Sequence, residues 1–443
     1  MNRRWSACGL VVLLGILWAG GSQAAEQDSL ALCQAQPFDA KMQCYQRHLE
    51  AVLQAEGTEQ ALTVLEQITV QDPEALREAH PLVHHVGQRS FARYGTAPLA
   101  LAHCRDVFWS GCYHGVLQAF LSSLETVEPQ HILPLCPISE TVSAYSFQRY
   151  NCLHGLGHGL TIQFRYDLLK SLAFCDALPG SWDRESCYGG VFMENIVTFQ
   201  QAQRAQPAQS GSDHHHHEAT SFLNPQDLLY PCSVLNEKYL RACYLMQTSA
   251  VLTFLNYDFA QAFTQCARVE GEHQTTCYRS LGRDISGYTL RDAVRVNELC
   301  RLGQADQIRQ CFIGAVKDFI LTDANPDPGL ALCRSLDGPF KKDCYATVGE
   351  MVIPLFDDKE KRAQACRKGE DEYVDACLAV ATAFYLGPFG AIGPATPTGS
   401  CPRSDPYLVT REPHLGGGMS VWLVTNAAGH APRPPFQFLC SVF

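Results

Sequence analysis

The chain is poor in what several large function classes require. Only 18% of its 443 residues are charged, and the balance is acidic, 34 Lys and Arg against 45 Asp and Glu, for a formal charge of -11. A basic face for phosphate backbones is missing, so nucleic acid is excluded as a partner. Past the first two dozen residues there is no long apolar run, so no membrane span is expected after that start is removed. Proline is modest at 24 residues and hydrophobic residues make up 46%, which excludes collagenous and disordered chains. The Gly-x-Ser-x-Gly elbow, the Gly-x-x-x-x-Gly-Lys phosphate loop and Cys-x2-Cys zinc spacing are all lacking.

What is abundant is cysteine, with 21 residues. Asn2-Arg3-Arg4, the apolar stretch from Gly9 to Gly20 and the small-x-small run Ser22-Gln23-Ala24 read as an export signal over residues 1–24. Cys8 leaves with that signal, and the remaining 20 cysteines suit disulfides in the periplasm or outside the cell.

Those cysteines fall in pairs: Cys33 with Cys44, Cys104 with Cys112, Cys136 with Cys152, Cys175 with Cys187, Cys232 with Cys243, Cys266 with Cys277, Cys300 with Cys311, Cys333 with Cys344, and Cys366 with Cys377. Cys401 and Cys440 are left over. Six of the nine pairs are 11 residues apart, and the second members Cys243, Cys277, Cys311, Cys344 and Cys377 recur every 33 or 34 residues. On one helix an 11-residue gap spans about 16 Å, too far for a disulfide, so the chain must turn between partners. Asp258 and Asp292 stand where helix caps belong, each followed by apolar residues at helical spacing up to the first cysteine of a pair. Each repeat is expected to be a helix hairpin closed by one disulfide, and about nine stacked hairpins make an all-α solenoid with a concave face.

The array resembles in architecture the secreted, cysteine-rich Sel1-like helical-repeat proteins, in which each helix pair carries one disulfide. Residues 25–199 form a His-rich block of repeats, 200–221 a polar loop carrying His214 to His217, and 222–386 a more regular block. Residues 387–443 are an irregular Pro- and Gly-rich tail in which Cys401 and Cys440 are the expected pair.

Histidine is concentrated in the first block. Aligned on their second cysteines, repeats place His114 and His154 in the same position, His158 one turn beyond His154, and Glu194 in the following repeat. The run His80-Pro81-Leu82-Val83-His84-His85 carries the same i, i+4 spacing. His84, His85, His114, His154 and His158 are the expected ligands of a divalent transition metal, Zn, Cu or Fe, since the thiols are committed to disulfides. The plainer alternative is that Gly-His-Gly runs mark tight helix packing. Against it, the later equivalents of His114 are Leu245, Arg279, Ile313, Ala346 and Ala379, so the repeat does not require imidazole there. In the second block Arg283-Asp284, Lys317-Asp318 and Glu350 form a polar ladder that reads first as a solvated face and, were it on the concave side, as a surface to dock an extended polypeptide.

Two functions are compatible with this pattern. One is a scaffold that holds a protein or peptide, with a metal in its N-terminal repeats. The other is a metalloenzyme in which Glu194 handles protons beside an ion held by His114, His154 and His158.

Overall fold

The computed structural model describes residues 30–128, 135–136, 145–205 and 222–382, together with four short strands beyond them. The expected export signal, the His214 to His217 tract and the expected pair of Cys401 and Cys440 lie outside the described residues. The described chain is overwhelmingly helical. None of its helices is long and apolar enough to cross a membrane.

Among the described residues, nine disulfides join nine of the ten expected pairs. In the first block they are Cys33–Cys44, Cys104–Cys112, Cys136 to Cys152 and Cys175 to Cys187. In the second they link Cys232 to Cys243, Cys266 to Cys277, Cys300 to Cys311, Cys333 to Cys344 and Cys366 to Cys377. Their Cα–Cα distances run from 5.4 to 5.8 Å, the ordinary span of a bridge. Such bonding belongs to an oxidising compartment.

From Cys112 onward, the second cysteine of each pair sits in the first half of a helix, and these helices form a row. It begins with α1 Ala79–Tyr94, which carries no cysteine, and continues with α2 Gly111–Ser122, α3 Phe147–Gln163 and α4 Ser181–Ala205. It then runs through α5 Glu237–Phe254, α6 His273–Tyr288, α7 Ala305–Leu321, α8 Gly338–Leu355 and α9 Val374–Ala381. Consecutive members of this row pack side by side.

The return to the next repeat reuses one turn. Arg165-Tyr166, Asn256-Tyr257 and Leu290-Arg291 each place two residues in the left-handed region. The following Asp167, Asp258 or Asp292 then caps a short helix by accepting backbone N–H groups.

Among the described residues, three first cysteines, Cys104, Cys136 and Cys232, lie outside helices, where the bridge fixes the chain instead. The polar insertion also starts later than its composition suggests. Residues 200–205 continue α4, anchored where Gln200 Nε2 donates to Ser249 O and Thr253 Oγ1 of α5 at 3.3 and 3.0 Å. In the tail, Phe384–Tyr385 pairs with Ala391–Ile392 and Tyr407–Glu412 with Val421–Asn426, both antiparallel.

Glycines set how closely the helices approach. A Cβ on Gly115 of α2 would lie 2.0 Å from His84 O of α1, and one on Gly87 of α1 would lie 2.1 Å from Cys112 O of α2. The same reciprocal contact joins α3 and α4: a Cβ on Gly157 would lie 2.1 Å from Cys187 O, and one on Gly190 would lie 1.9 Å from His154 O. Only residues without a side chain allow backbone to meet backbone in this way. Between α3 and the start of α4, buried Arg149 holds Asp183 through Nε and Nη2 at 2.8 and 2.7 Å.

The row curls back on itself, so that the residues before α2 meet the end of α7. Trp109 N–H donates to Thr322 O at 2.8 Å, and its indole Nε1–H donates to Asp318 Oδ1 at 2.8 Å, across 209 residues of sequence in the latter case. Arg291 lies over the Trp109 ring, 5.1 Å from its centroid. The curl leaves a chamber of about 240 Å³ that opens to solvent, and all its lining residues except Trp109 and Tyr145 belong to α1 through α8. Replacing Trp109 by Phe keeps the ring but removes the donor to buried Asp318. A loss of about 1–3 kcal/mol is expected from the orphaned acceptor, read as a lower urea midpoint. An unchanged midpoint would show that this closure does not hold the fold.

Candidate metal centre

One ring nitrogen from each of His80, His84, His114 and His158 can be chosen so that all four lie within 4.8 Å of one another. His80 and His84 are one turn apart on α1, while His114 comes from α2 and His158 from α3. The close α1–α2 approach at Gly87 and Gly115 is what brings His84 against His114, with ring centroids 5.2 Å apart.

Three of the four rings are oriented from behind by oxygen acceptors. His80 Nδ1 lies 2.9 Å from Phe108 O, His84 Nδ1 3.3 Å from Gln118 Oε1, and His158 Nδ1 2.7 Å from Glu194 Oε2. Each acceptor places the imidazole proton on Nδ1 and leaves a lone pair on Nε2. Gln118 is itself fixed, accepting from Gln88 Nε2 at 3.0 Å, and Thr198 Oγ1 donates to the second oxygen of Glu194 at 3.2 Å.

With these tautomers, His80 Nε2 and His84 Nε2 face each other at 3.0 Å with no proton to share, a repulsive contact unless a cation lies between or beside them. His114 Nδ1 is 3.2 Å from His84 Nε2, and the Nε2 atoms of His114 and His158 are buried without a partner. Bonds of 2.0–2.1 Å to one ion separate neighbouring ligand nitrogens by about 3 Å, close to the two short contacts seen. Burial lowers the His80 pKa to about 4 and pushes His84 and His114 well below the ordinary imidazole range, with repulsion among the rings adding to it. These rings are therefore neutral near pH 7, the form that ligates a metal.

The expected ligands are thus placed unequally. His84, His114 and His158 meet in the cluster, joined by His80. The imidazole of His85 points the other way, with Nε2 3.9 Å from Glu50 Oε2, because one residue along a helix turns the side chain by about 100°. His154 stands beside the cluster, its centroid 5.1 Å from His114 and 5.0 Å from His158, and lines the chamber next to Tyr150. Glu194 sits behind His158, where it orients that ring. His80 carried a sequence signal, since its spacing to His84 equals that of His154 to His158; Gln118 carried none.

The centre opens on the chamber, which His80, His114 and His154 line. The polar ladder of the second block is not a solvated face but the opposite wall, with Arg283, Lys317, Asp318 and Glu350 all turned inward. A second grouping, Glu237, Glu272 and His273, is largely exposed and already spends His273 Nε2 on Glu237 at 2.8 Å.

Compared with protein-family models, curated proteins and solved structures, the chain matches none.

Proposed function

We propose that this is an exported metalloprotein, an α-solenoid of nine cystine-linked repeats curled around a small-molecule chamber, with one transition-metal ion held by His80, His84, His114 and His158. The observation that supports it most is the outer ring of acceptors: Phe108 O, Gln118 Oε1 and Glu194 Oε2 each hold an Nδ1–H so that Nε2 faces its neighbours. Imidazole ligands suit Zn, Cu or Fe.

The chamber argues for an enzyme rather than a peptide scaffold. Its 240 Å³ is room for a small molecule but not for a folded partner. Such an ion polarises an oxygen of a bound substrate or activates water. His154 lies between cluster and chamber, which gives it the reach to take or give a proton there, while Glu194 keeps His158 in its ligating tautomer.

Elemental analysis tests this on protein folded under oxidising conditions, with the 214–217 tract deleted to remove loose binding. The expected result is near one metal per chain, lost in His84→Ala and in His158→Ala. Glu194→Gln should keep the fold and lower affinity by about 10- to 100-fold, the usual cost of losing an orienting carboxylate. Protein that stays metal-free after incubation with each of the three metals overturns the reading.

A further inference from the structure

The two walls of the chamber differ in chemistry. The wall built from α1 to α4 carries the histidines with Phe147, Tyr150 and Trp182, whereas the wall from α5 to α8 carries Arg241, Arg279, Arg283 and Lys317 beside the carboxylates of Asp318 and Glu350. In a chain of formal charge -11, four cations on one small cavity demand an account.

Three of them are neutralised by the protein. Arg241 Nε lies 3.3 Å from Glu185, Lys317 Nζ lies 2.7 Å from Glu350, and Arg283 lies 2.6 Å from Asp284. Arg279 is different. Its Nε donates to the neutral amide oxygen of Gln310 at 2.7 Å, and among the described residues it has no ion-pair partner. Glu350 acts on it favourably at longer range, but that carboxylate is in contact with Lys317. Arg279 is half-buried, and burial lowers its pKa, so the fold keeps a partly desolvated cation without a counter-charge of its own. On the facing wall, Trp182 Nε1 is buried with no acceptor, and its ring packs against Tyr150 with centroids 5.6 Å apart.

We infer that the chamber binds a small organic carboxylate, its anionic end on the guanidinium of Arg279 and its apolar or aromatic body along Tyr150 and Trp182, in reach of the histidine cluster. This rests on reading the chamber as a small-molecule site and not on which ion the histidines hold. A planar guanidinium offers paired donors matched to a carboxylate, and the faces of two adjoining aromatic rings favour a flat body beside them. The cavity admits a molecule of roughly benzoate size with some waters.

Calorimetric titration of the full exported chain with benzoate, and with benzamide as its uncharged match, tests this. Benzoate should bind at least about tenfold more tightly than benzamide, since charge-assisted hydrogen bonds are cut in the amide. Arg279→Met should abolish that preference with metal content unchanged, and Arg279→Lys should restore part of it. Tyr150→Ala should weaken benzoate but not acetate. His84→Ala should lose metal yet keep an Arg279-dependent preference for benzoate, which separates failure of the centre from failure of this inference. Equal binding of benzoate and benzamide, no binding of either, or an Arg279→Met protein that binds benzoate as the parent does, overturns it.

Discussion

Gly115→Ala is expected to cost both the fold and the metal centre. The added methyl would meet the carbonyl oxygen of His84 at 2.0 Å and its carbon at 2.8 Å, and neither atom belongs to a side chain that can swing away. Helices α1 and α2 must therefore separate, and the displaced backbone is that of a ligand. Overpacking a core with one methyl costs typically 1–3 kcal/mol, and contact with α1 backbone at His84 and Gln88 places this case at roughly 3 kcal/mol or above. The shift also pulls His84 from His114, so metal content should fall with stability. Gly287→Ala is the matched comparison, because a Cβ there meets nothing within 4 Å; it should be neutral or gain up to about 1 kcal/mol through helix propensity. Denaturant midpoints and metal content of the two variants check this. A Gly115→Ala protein with the parent midpoint would mean that α1 and α2 do not approach as closely as described.

The same glycines mark the boundary between what could and could not be read from sequence. Cysteine pairing was legible, as at Cys266 with Cys277 or Cys300 with Cys311, because an 11-residue interval forces a turn and a turn within one repeat leaves a single nearby partner. Helix starts were legible where a capping Asp stood before an apolar run, as at Asp258 and Asp292. The repeat register carried more than it first showed. The position two residues after the second cysteine is occupied by His114, His154, Gly189, Leu245 and Arg279, and all five line the chamber. What alignment alone does not convey is curvature. A small rotation per repeat, accumulated from α2 to α7, closes Trp109 onto Asp318 and turns a polar ladder from an outer face into a wall. His80 and His85 show the same limit on a smaller scale. Both neighbour His84 in sequence or helical turn, and only the packing of α1 against α2 and α3 selects His80 for the cluster, while the other imidazole faces Glu50.

Acid should unfold the metal-free protein well before the metal-loaded one. His80, His84, His114 and His154 all have pKa values lowered in the folded state, by burial first and then by one another. In the unfolded chain each titrates near 6.5, so below that pH the unfolded state binds more protons and gains on the folded state. The stability these neutral rings permit is whole above about 6.5 and drains as pH falls toward the folded values. For His80, from 6.5 to about 4, the loss amounts to roughly 3 kcal/mol, and the other three add to it. Two groups that line the chamber work in the opposite sense, while Glu350, whose carboxyl, against the effect of burial, the Lys317 ammonium holds below its ordinary range, adds to the loss. Glu185, raised to about 6 by burial, and Asp318, raised likewise, take up protons more readily when folded and offset part of the loss. The histidines act first on the way down and outnumber them, so the net slope is destabilising. A bound ion competes with protons for the same lone pairs and should move the onset of unfolding to lower pH. Urea midpoints measured from pH 7.5 to 4.5 on both forms would show the divergence, and replacing His154, which is not among the four ligands, by Asn should flatten the metal-free profile without abolishing the gap. Parallel profiles for the two forms would mean that the ion sits elsewhere than on these rings.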